Sequence, residues 1–215
     1  MKKMLFTFGG SALLAMTCLA QNGKPITPRD QNNPFDSKRS TITAGVGFSL
    51  AGLLIRSVES ALADSIPSGR TKTTSIPALT LSYDYTLAKH FSIGVAGSYQ
   101  SWSIKIDPYY SHGNSYSGGS LSVSRTNLAV RPLFHFGRNP DLDLYCGIRL
   151  GYTIWGGKTT STDPSVKSVD TNLGNNFAPA AIFGIRYFFT PNIGFNSEAS
   201  IGAPYALAVG VNFKF

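Results

Sequence analysis

The sequence predicts an all-β chain, an eight-stranded antiparallel up-and-down barrel that crosses a membrane. Three observations predict it. From Ser40 to the C-terminus apolar residues recur at every second position, which is the mark of strands with one apolar face. The connections alternate between tight turns and long polar stretches, and the charges inside the alternating segments keep to the phase opposite the aliphatic residues. Composition agrees. Only 14% of the 215 residues are charged and mean hydropathy is 0.00, against about 25% charged residues in a typical soluble domain. Enough apolar surface is present to exclude a disordered chain. One domain of ordinary length accounts for the whole.

The first 20 residues read as a secretory signal peptide: Lys2 and Lys3, an apolar run from Met4 to Leu19, then Ala20 before the polar pair Gln21 and Asn22. The run is shorter than the ~20 apolar residues of a membrane anchor, and Gly9, Gly10 and Ser11 interrupt it. Lipidation at Cys18 is the other processing route, although Thr17 stands where a small residue is expected. Residues 21–39, with three prolines, read as a flexible periplasmic leader. The barrel is assigned to 40–215. Two cysteines, one inside the export signal, leave Cys146 alone and exclude a disulfide scaffold or a multi-cysteine zinc module. The net charge of +8 comes from residues scattered singly, so no basic stripe points to a nucleic-acid partner.

The strands follow in order. The outward phase is carried by Ile42 to Leu50, Leu79 to Leu87, Phe91 to Tyr99, Leu128 to Phe136, Leu142 to Ile154, Phe183 to Phe189, Ile193 with Phe195, and Leu207 to Phe215, each at alternate positions. Short connections at 88–89, 137–141 and 190–192 hold turn formers such as Asn139, Pro140 and Pro191. Long polar stretches at 51–73, 106–119 and 156–175 are expected to be loops on the other side, and a short connection lies near Gly202 to Pro204. In the first stretch Leu50, Leu53, Leu54, Val58, Ala61, Leu62 and Ile66 are spaced at three and four. They predict a short helix packed on the barrel mouth, or an extension of the first strand to Ile55, with an apolar patch for a surface partner or lipid as the alternative.

In hydrocarbon every backbone donor and acceptor must pair, so a sheet spans only when it closes. A midplane arginine on the lipid face costs about 2–4 kcal/mol. Arg125, Arg131, Arg149, Arg186 and Lys214 therefore share the interior with Asp84, Asp143 and Glu198. An eight-stranded lumen is just wide enough to be filled by side chains, so these charges are expected to form a paired network. The network is read as a polar plug, the alternative being a narrow gated pore in which Glu198 exchanges arginine partners. Aromatic girdles are expected from Tyr83, Tyr85, Phe134, Phe136, Tyr187, Phe189 and Phe213 near the turns, and from Phe48, Tyr99, Tyr152 and Trp155 near the outer ends.

With its export signal, alternating strands and terminal run ALAVGVNFKF, the chain resembles the small outer-membrane β-barrel family of Gram-negative bacteria. Val211, Phe213 and Phe215 resemble the C-terminal signal read by the barrel-assembly machinery, and the Ala20–Gln21 junction resembles those of Bacteroidota exports. The resemblance implies an outer-membrane location, with outer-membrane lipid and the assembly machinery as partners. It does not choose a function, because the family holds adhesins, anchors and lipid-modifying enzymes.

Catalytic candidates are few. His135 lies on the inward phase, His90 at a turn, and His112 beside Ser111 and Ser115 without the His-x-Ser pattern of barrel lipid deacylases. Gly45 and Gly47 alternate within a strand and so reflect crowded packing, since a phosphate-cradling loop needs a helix after it. The expectation is a protein with no catalytic residues, cofactor or metal, acting as a structural or surface-interaction barrel whose loops could meet a surface partner. A soluble lipocalin-like carrier, with apolar residues inside, is the rival fold.

Overall fold

The computed structural model describes residues 39–54, 57, 60, 71–111, 114–136, 141–163, 165, 167–202 and 204–215. The signal peptide with Cys18, nearly all of the leader, Val58, Ala61, Leu62, Ile66 and His112 lie outside the described residues.

Ten strands form: β1 (Ser40–Phe48), β2 (Thr71–Ala88), β3 (Phe91–Ile106), β4 (Tyr109–Ser111), β5 (Asn114–Tyr116), β6 (Gly119–His135), β7 (Leu142–Ser161), β8 (Val169–Phe188), β9 (Ile193–Gly202) and β10 (Leu207–Lys214). Eight close into a barrel in the order β1-β2-β3-β6-β7-β8-β9-β10, with β10 returning to β1, while β4 and β5 pair as a small hairpin. The seam is antiparallel and runs from Phe48↔Leu207 to Thr41↔Lys214. At its lower end Ser40 and Phe215 exchange backbone hydrogen bonds of 2.9 and 3.0 Å, so pairing reaches the last residue of the chain.

Polarity is inverted relative to a soluble barrel. Asp84, Arg131, Arg149, Arg186, Glu198 and Asn212 are buried, whereas Leu81, Val95, Leu128, Ile148, Phe183 and Val209 are exposed. This removes the lipocalin-like alternative, whose cavity would be apolar and whose surface would be charged. It is what a lipid solvent selects, because the outward side chains then need no water. On β3 the outward apolar run from Phe91 to Tyr99 spans roughly 21 Å, from eight steps of ~3.4 Å at a tilt near 40°, close to the ~25 Å of an apolar band. Aromatic rings cluster at the turn end, with Phe134 stacked on Phe136 at 6.3 Å and Phe189 beside Phe195 at 5.2 Å.

Two expectations are corrected. The stretches 106–119 and 156–175 are mostly strand: β7 runs to Ser161, β8 starts at Val169, and β4 and β5 fold the second stretch into a hairpin. The alternation of apolar and polar residues ends at the membrane surface because both faces of a strand are wet beyond it, so the strand signal stops before the strand does. Trp155 is the second correction. It falls on the inward phase of β7, opposite Arg125, and stacks on Trp102 at 6.3 Å instead of joining the outer girdle. Phe177, opposite Tyr152 on β8, takes a girdle position.

The strands are unequal. β2, β3, β6, β7 and β8 have 16 to 20 residues, while β1, β9 and β10 have 8 to 10. A tall wall of five strands therefore rises past the girdle opposite a low wall of three. On the outward face of the tall wall Ser101, Ser103, Ser122 and Ser124 replace the aliphatic residues below. Placing a charge tests this division. Ile148→Arg, midway along the outward phase of β7, is expected to lower stability in lipid vesicles by about 2–4 kcal/mol, and Thr74→Arg, on the wet part of β2, by less than about 0.5 kcal/mol. Urea midpoints of the two variants compare them.

Candidate functional site

The inward phases of β2, β6, β7, β8 and β9 bring five of the eight predicted charges together. Arg131 reaches Glu198 at 2.7 Å through Nη2 and Asp84 at 3.1 Å through Nε. Arg186 Nη2 pairs with the other oxygen of Asp84, and its Nη1 lies 3.6 Å from Asp143. Two arginines thus face three carboxylates in a chain: Glu198, Arg131, Asp84, Arg186, Asp143. Each side chain in it is nearly sealed from solvent. Such pairs persist in a low dielectric only when hydrogen bonds satisfy the remaining lone pairs. Tyr145 and Tyr205 do this for Glu198. The Tyr145 hydroxyl donates to Oε2 at 2.7 Å and the Tyr205 hydroxyl to Oε1 at 2.5 Å.

The other three predicted charges stand apart. Arg149 donates to the Tyr205 hydroxyl at 3.2 Å and to Asn127 Oδ1 at 3.0 and 3.2 Å, and so meets Glu198 only through the tyrosine. Arg125 donates to Gln100 Oε1 at 2.7 Å and to the Pro204 carbonyl, with its guanidinium 5.2 Å from the Trp155 ring and 5.8 Å from Trp102. Lys214 lies 4.1 Å from the Phe188 ring at the opposite end.

Space in this lumen is set by pairs of large and absent side chains. Tyr145 sits opposite Gly184 on β8, and a Cβ at 184 would lie 2.1 Å from its ring. Asp84 is seated against Gly94 in the same way, at 2.1 Å. Among Arg131, Tyr145, Arg149, Glu198 and Tyr205 the remaining void is about 10 Å³, room for one water molecule at most.

The sequence singled out none of Tyr145, Tyr205, Asn127 and Asn196 as network members; Asn196 Nδ2 donates to the Tyr145 hydroxyl at 2.8 Å. Tyr145 was legible as an inward residue from its phase on β7. Tyr205 was not, because it lies in the β9–β10 turn, where there is no strand phase to read.

At the turn end, Ser92 Oγ lies 2.8 Å from His135 Nε2, and His135 Nδ1 lies 2.7 Å from Asp143 Oδ1. This is the hydrogen-bond order of a hydrolytic triad. Ser92 is 1% exposed and stands second in β3, paired with Thr86 of β2 and Leu133 of β6, so its hydroxyl is enclosed within the sheet. The trio ties β3, β6 and β7 together and extends the charge chain through Asp143. Among the described residues no three His, Cys, Asp or Glu side chains converge to hold a metal ion.

The outer mouth is closed from two sides. After β1 the backbone turns helical at 50–54, which replaces the expected extension of the first strand to Ile55. Ser49 caps this turn: its Oγ accepts from Gly52 N at 3.1 Å and donates to Gln100 Oε1 at 2.9 Å. The small face of the helix therefore points at the mouth, whereas Leu50, Leu53 and Leu54 are 60–69% exposed and do not pack on the barrel as expected. From the other side, Pro204 and Tyr205 fold inward and are buried. Outside, the tall wall carries a polar cup of about 520 Å³ reaching from Tyr99 past the serines to Lys158 and Asp170.

No family model matches the chain, and no curated protein matches it in sequence. Solved structures share its architecture. The outer membrane protein OprG from Pseudomonas aeruginosa is similar at 12% identity and a TM-score of 0.48, over 83% of this chain and 96% of that one. Ail, the attachment invasion locus protein of Yersinia pestis, solved with the heparin analogue sucrose octasulfate, is similar at 13% and 0.42, over 84% and 100%. The N-terminal β-barrel domain of Pseudomonas aeruginosa OprF is similar at 16% and 0.41, over 83% and 98%. At such identities and scores the likeness carries no argument about function.

The network generates a stability prediction. Glu198→Ala strips Arg131 of one of two carboxylates and leaves two buried tyrosine hydroxyls without an acceptor, so a loss of about 3–5 kcal/mol is expected. Glu198→Gln, which keeps an acceptor, should lose less. Ser92→Ala should cost about 1–3 kcal/mol, through one unsatisfied histidine nitrogen. Denaturant midpoints in lipid vesicles rank the three variants.

Proposed function

We propose that this chain is an outer-membrane barrel of a Gram-negative bacterium, with a plugged lumen and a structural or surface-interaction role carried by the tall wall. One observation carries the reading: five strands continue past the apolar belt as an ordered sheet while the lumen beneath them is packed with side chains. A solute pore would spend its long strands on a wider or wetter lumen. A surface-presenting protein spends them outside, on a scaffold held rigid by the barrel below.

The location is supported by the inverted polarity, since only a lipid solvent rewards so many outward aliphatic side chains around a charged interior. The N-terminal run Met1–Ala20 fits export through a cleaved signal peptide. Phe213 and Phe215 stand outward at the end of β10, where the barrel-assembly machinery would read them as a terminal signal. The charged interior serves as the plug in this reading. Asp84, Arg131, Asp143, Arg186 and Glu198 cross-link five strands in a medium where each pair is costly to separate.

Two measurements test the proposal. The mature protein, recovered from outer membranes, should migrate differently on a gel before and after boiling, because a closed barrel resists detergent until heated. Added to a planar bilayer it should pass no stepwise current. A soluble protein with unchanged mobility would sink the barrel, and discrete conductance abolished by Glu198→Ala would replace the plug with a channel.

A further inference from the structure

Above the outer girdle the sheet no longer closes. β9 ends at Gly202, which adopts φ 130 ahead of Pro204, and its last partner on β8 is Ala180. β8 continues to pair with β7 as far as Val169. Among the described residues, 169–178 therefore have a strand on one side and none on the other. The same happens at the far side of the tall wall, where β1 stops opposite Ala78 and, among the described residues, 71–77 of β2 are bordered by β3 alone.

The two free edges are built differently. Exposed edges are templates for further strands, and proteins blunt them with Lys, Pro or a bulge. The β2 edge has all three: Lys72, Pro77, and a break in register between Ile76 and Leu79. The β8 edge, VDTNLGNNFA, has no Lys, Arg or Pro. It does carry a bulge, with Leu173 and Gly174 standing against Trp155 and Gly174 at φ 99, and its regular ladder runs from Asn175 downward.

Backbone phase shows what the β8 edge offers. Phe188 N donates to Asp141 O toward β7 at 2.7 Å, and the ladder from there up to Asn175 is unbroken. Even-numbered residues hence turn their amides to β7, and Asn175 and Phe177 turn N–H and C=O to the open side. There, among the described residues, the Phe177 carbonyl receives a long 3.4 Å contact from Asn176 Nδ2. Val169, Leu173 and Phe177 stand exposed along the same stretch, which measures roughly 34 Å at ~3.4 Å per residue.

Chain direction selects the occupant. β8 and β2 both descend toward the turn end, so two copies upright in one membrane would bring their free edges together in parallel, the weaker pairing. A strand from another molecule has no such restriction. We propose that residues 169–178 of β8 bind an extended polypeptide segment by antiparallel strand addition, main-chain groups giving affinity and alternate side-chain contacts specificity. This rests on the reading of the tall wall as the surface that projects from the membrane.

Amide hydrogen exchange on the full chain in lipid nanodiscs tests it, the probe being an acetylated and amidated decapeptide of alternating Thr and Val. Exchange at Asn175 and Phe177 should slow at least tenfold with peptide while residues 71–77 stay unchanged. Asn175→Pro, which removes an open-side N–H and no bond to β7, should abolish the slowing, and Asn175→Lys should weaken it. No slowing, equal slowing at both edges, or indifference to both substitutions would overturn the proposal. Protection that grows with protein concentration alone would assign the edge to a second copy, and full protection without peptide would assign it to the chain's own segment. Either result overturns strand addition by another molecule. A mobility that changes on boiling keeps the barrel reading intact whatever the edge does.

Discussion

Backbone pairing in hydrocarbon is the constraint from which the rest of the structure follows. An amide left open in lipid costs several kcal/mol, so the first and last strands must meet along the whole of the belt. They do, down to the mutual hydrogen bonds of Ser40 and Phe215. The constraint lapses where water begins. Past the girdle an open edge can be solvated, and there β1, β9 and β10 stop while five strands go on. The asymmetry of the mouth is therefore permitted by the same rule that forbids asymmetry in the belt.

Closure with eight strands also fixes the interior. The lumen is narrow and faces away from lipid, so it takes polar side chains, and it is filled only when large ones meet missing ones. Tyr145 over Gly184 and Asp84 over Gly94 are such pairs. Their effect is electrostatic as well as steric, since the tyrosine hydroxyl is held on Glu198 and the carboxylate between two arginines. A side chain at either glycine would displace a member of the charge chain. Packing and ion pairing are one problem here.

The eight barrel strands and their inward charges were legible because lipid on one face and a crowded lumen on the other enforce alternation from Ile42 to Phe215. Legibility ended where the two environments became alike. Residues 156–161 are strand with polar groups on both phases, so they read as loop. Trp155 read as a girdle residue because an aromatic at the end of an apolar run suits an interface, whereas its odd-numbered phase on β7 turns it to Arg125. Leu50, Leu53 and Leu54 showed their period correctly, but spacing alone does not say which face a helix buries. Ser49, the capping residue, decides it by binding Gln100 across the mouth. The partners of the charges were least legible, since which arginine meets which carboxylate depends on strand register and tilt.

The low wall and the filling of the mouth are linked. Because β9 and β10 end at the girdle, their connection at 204–206 is short enough to fold into the mouth, where Pro204 receives Arg125 and Tyr205 drops onto Glu198 and Arg149. Longer strands would carry that turn out of reach, leaving Glu198 Oε1 without its donor and Arg125 without its carbonyl. Shortness on this side thus places Pro204 and Tyr205 on the interior charges, and it also leaves β8 without its β9 neighbour beyond Ala180. A single choice of strand length brings the β9–β10 turn down onto the interior charges and leaves the upper part of β8 without a β9 partner.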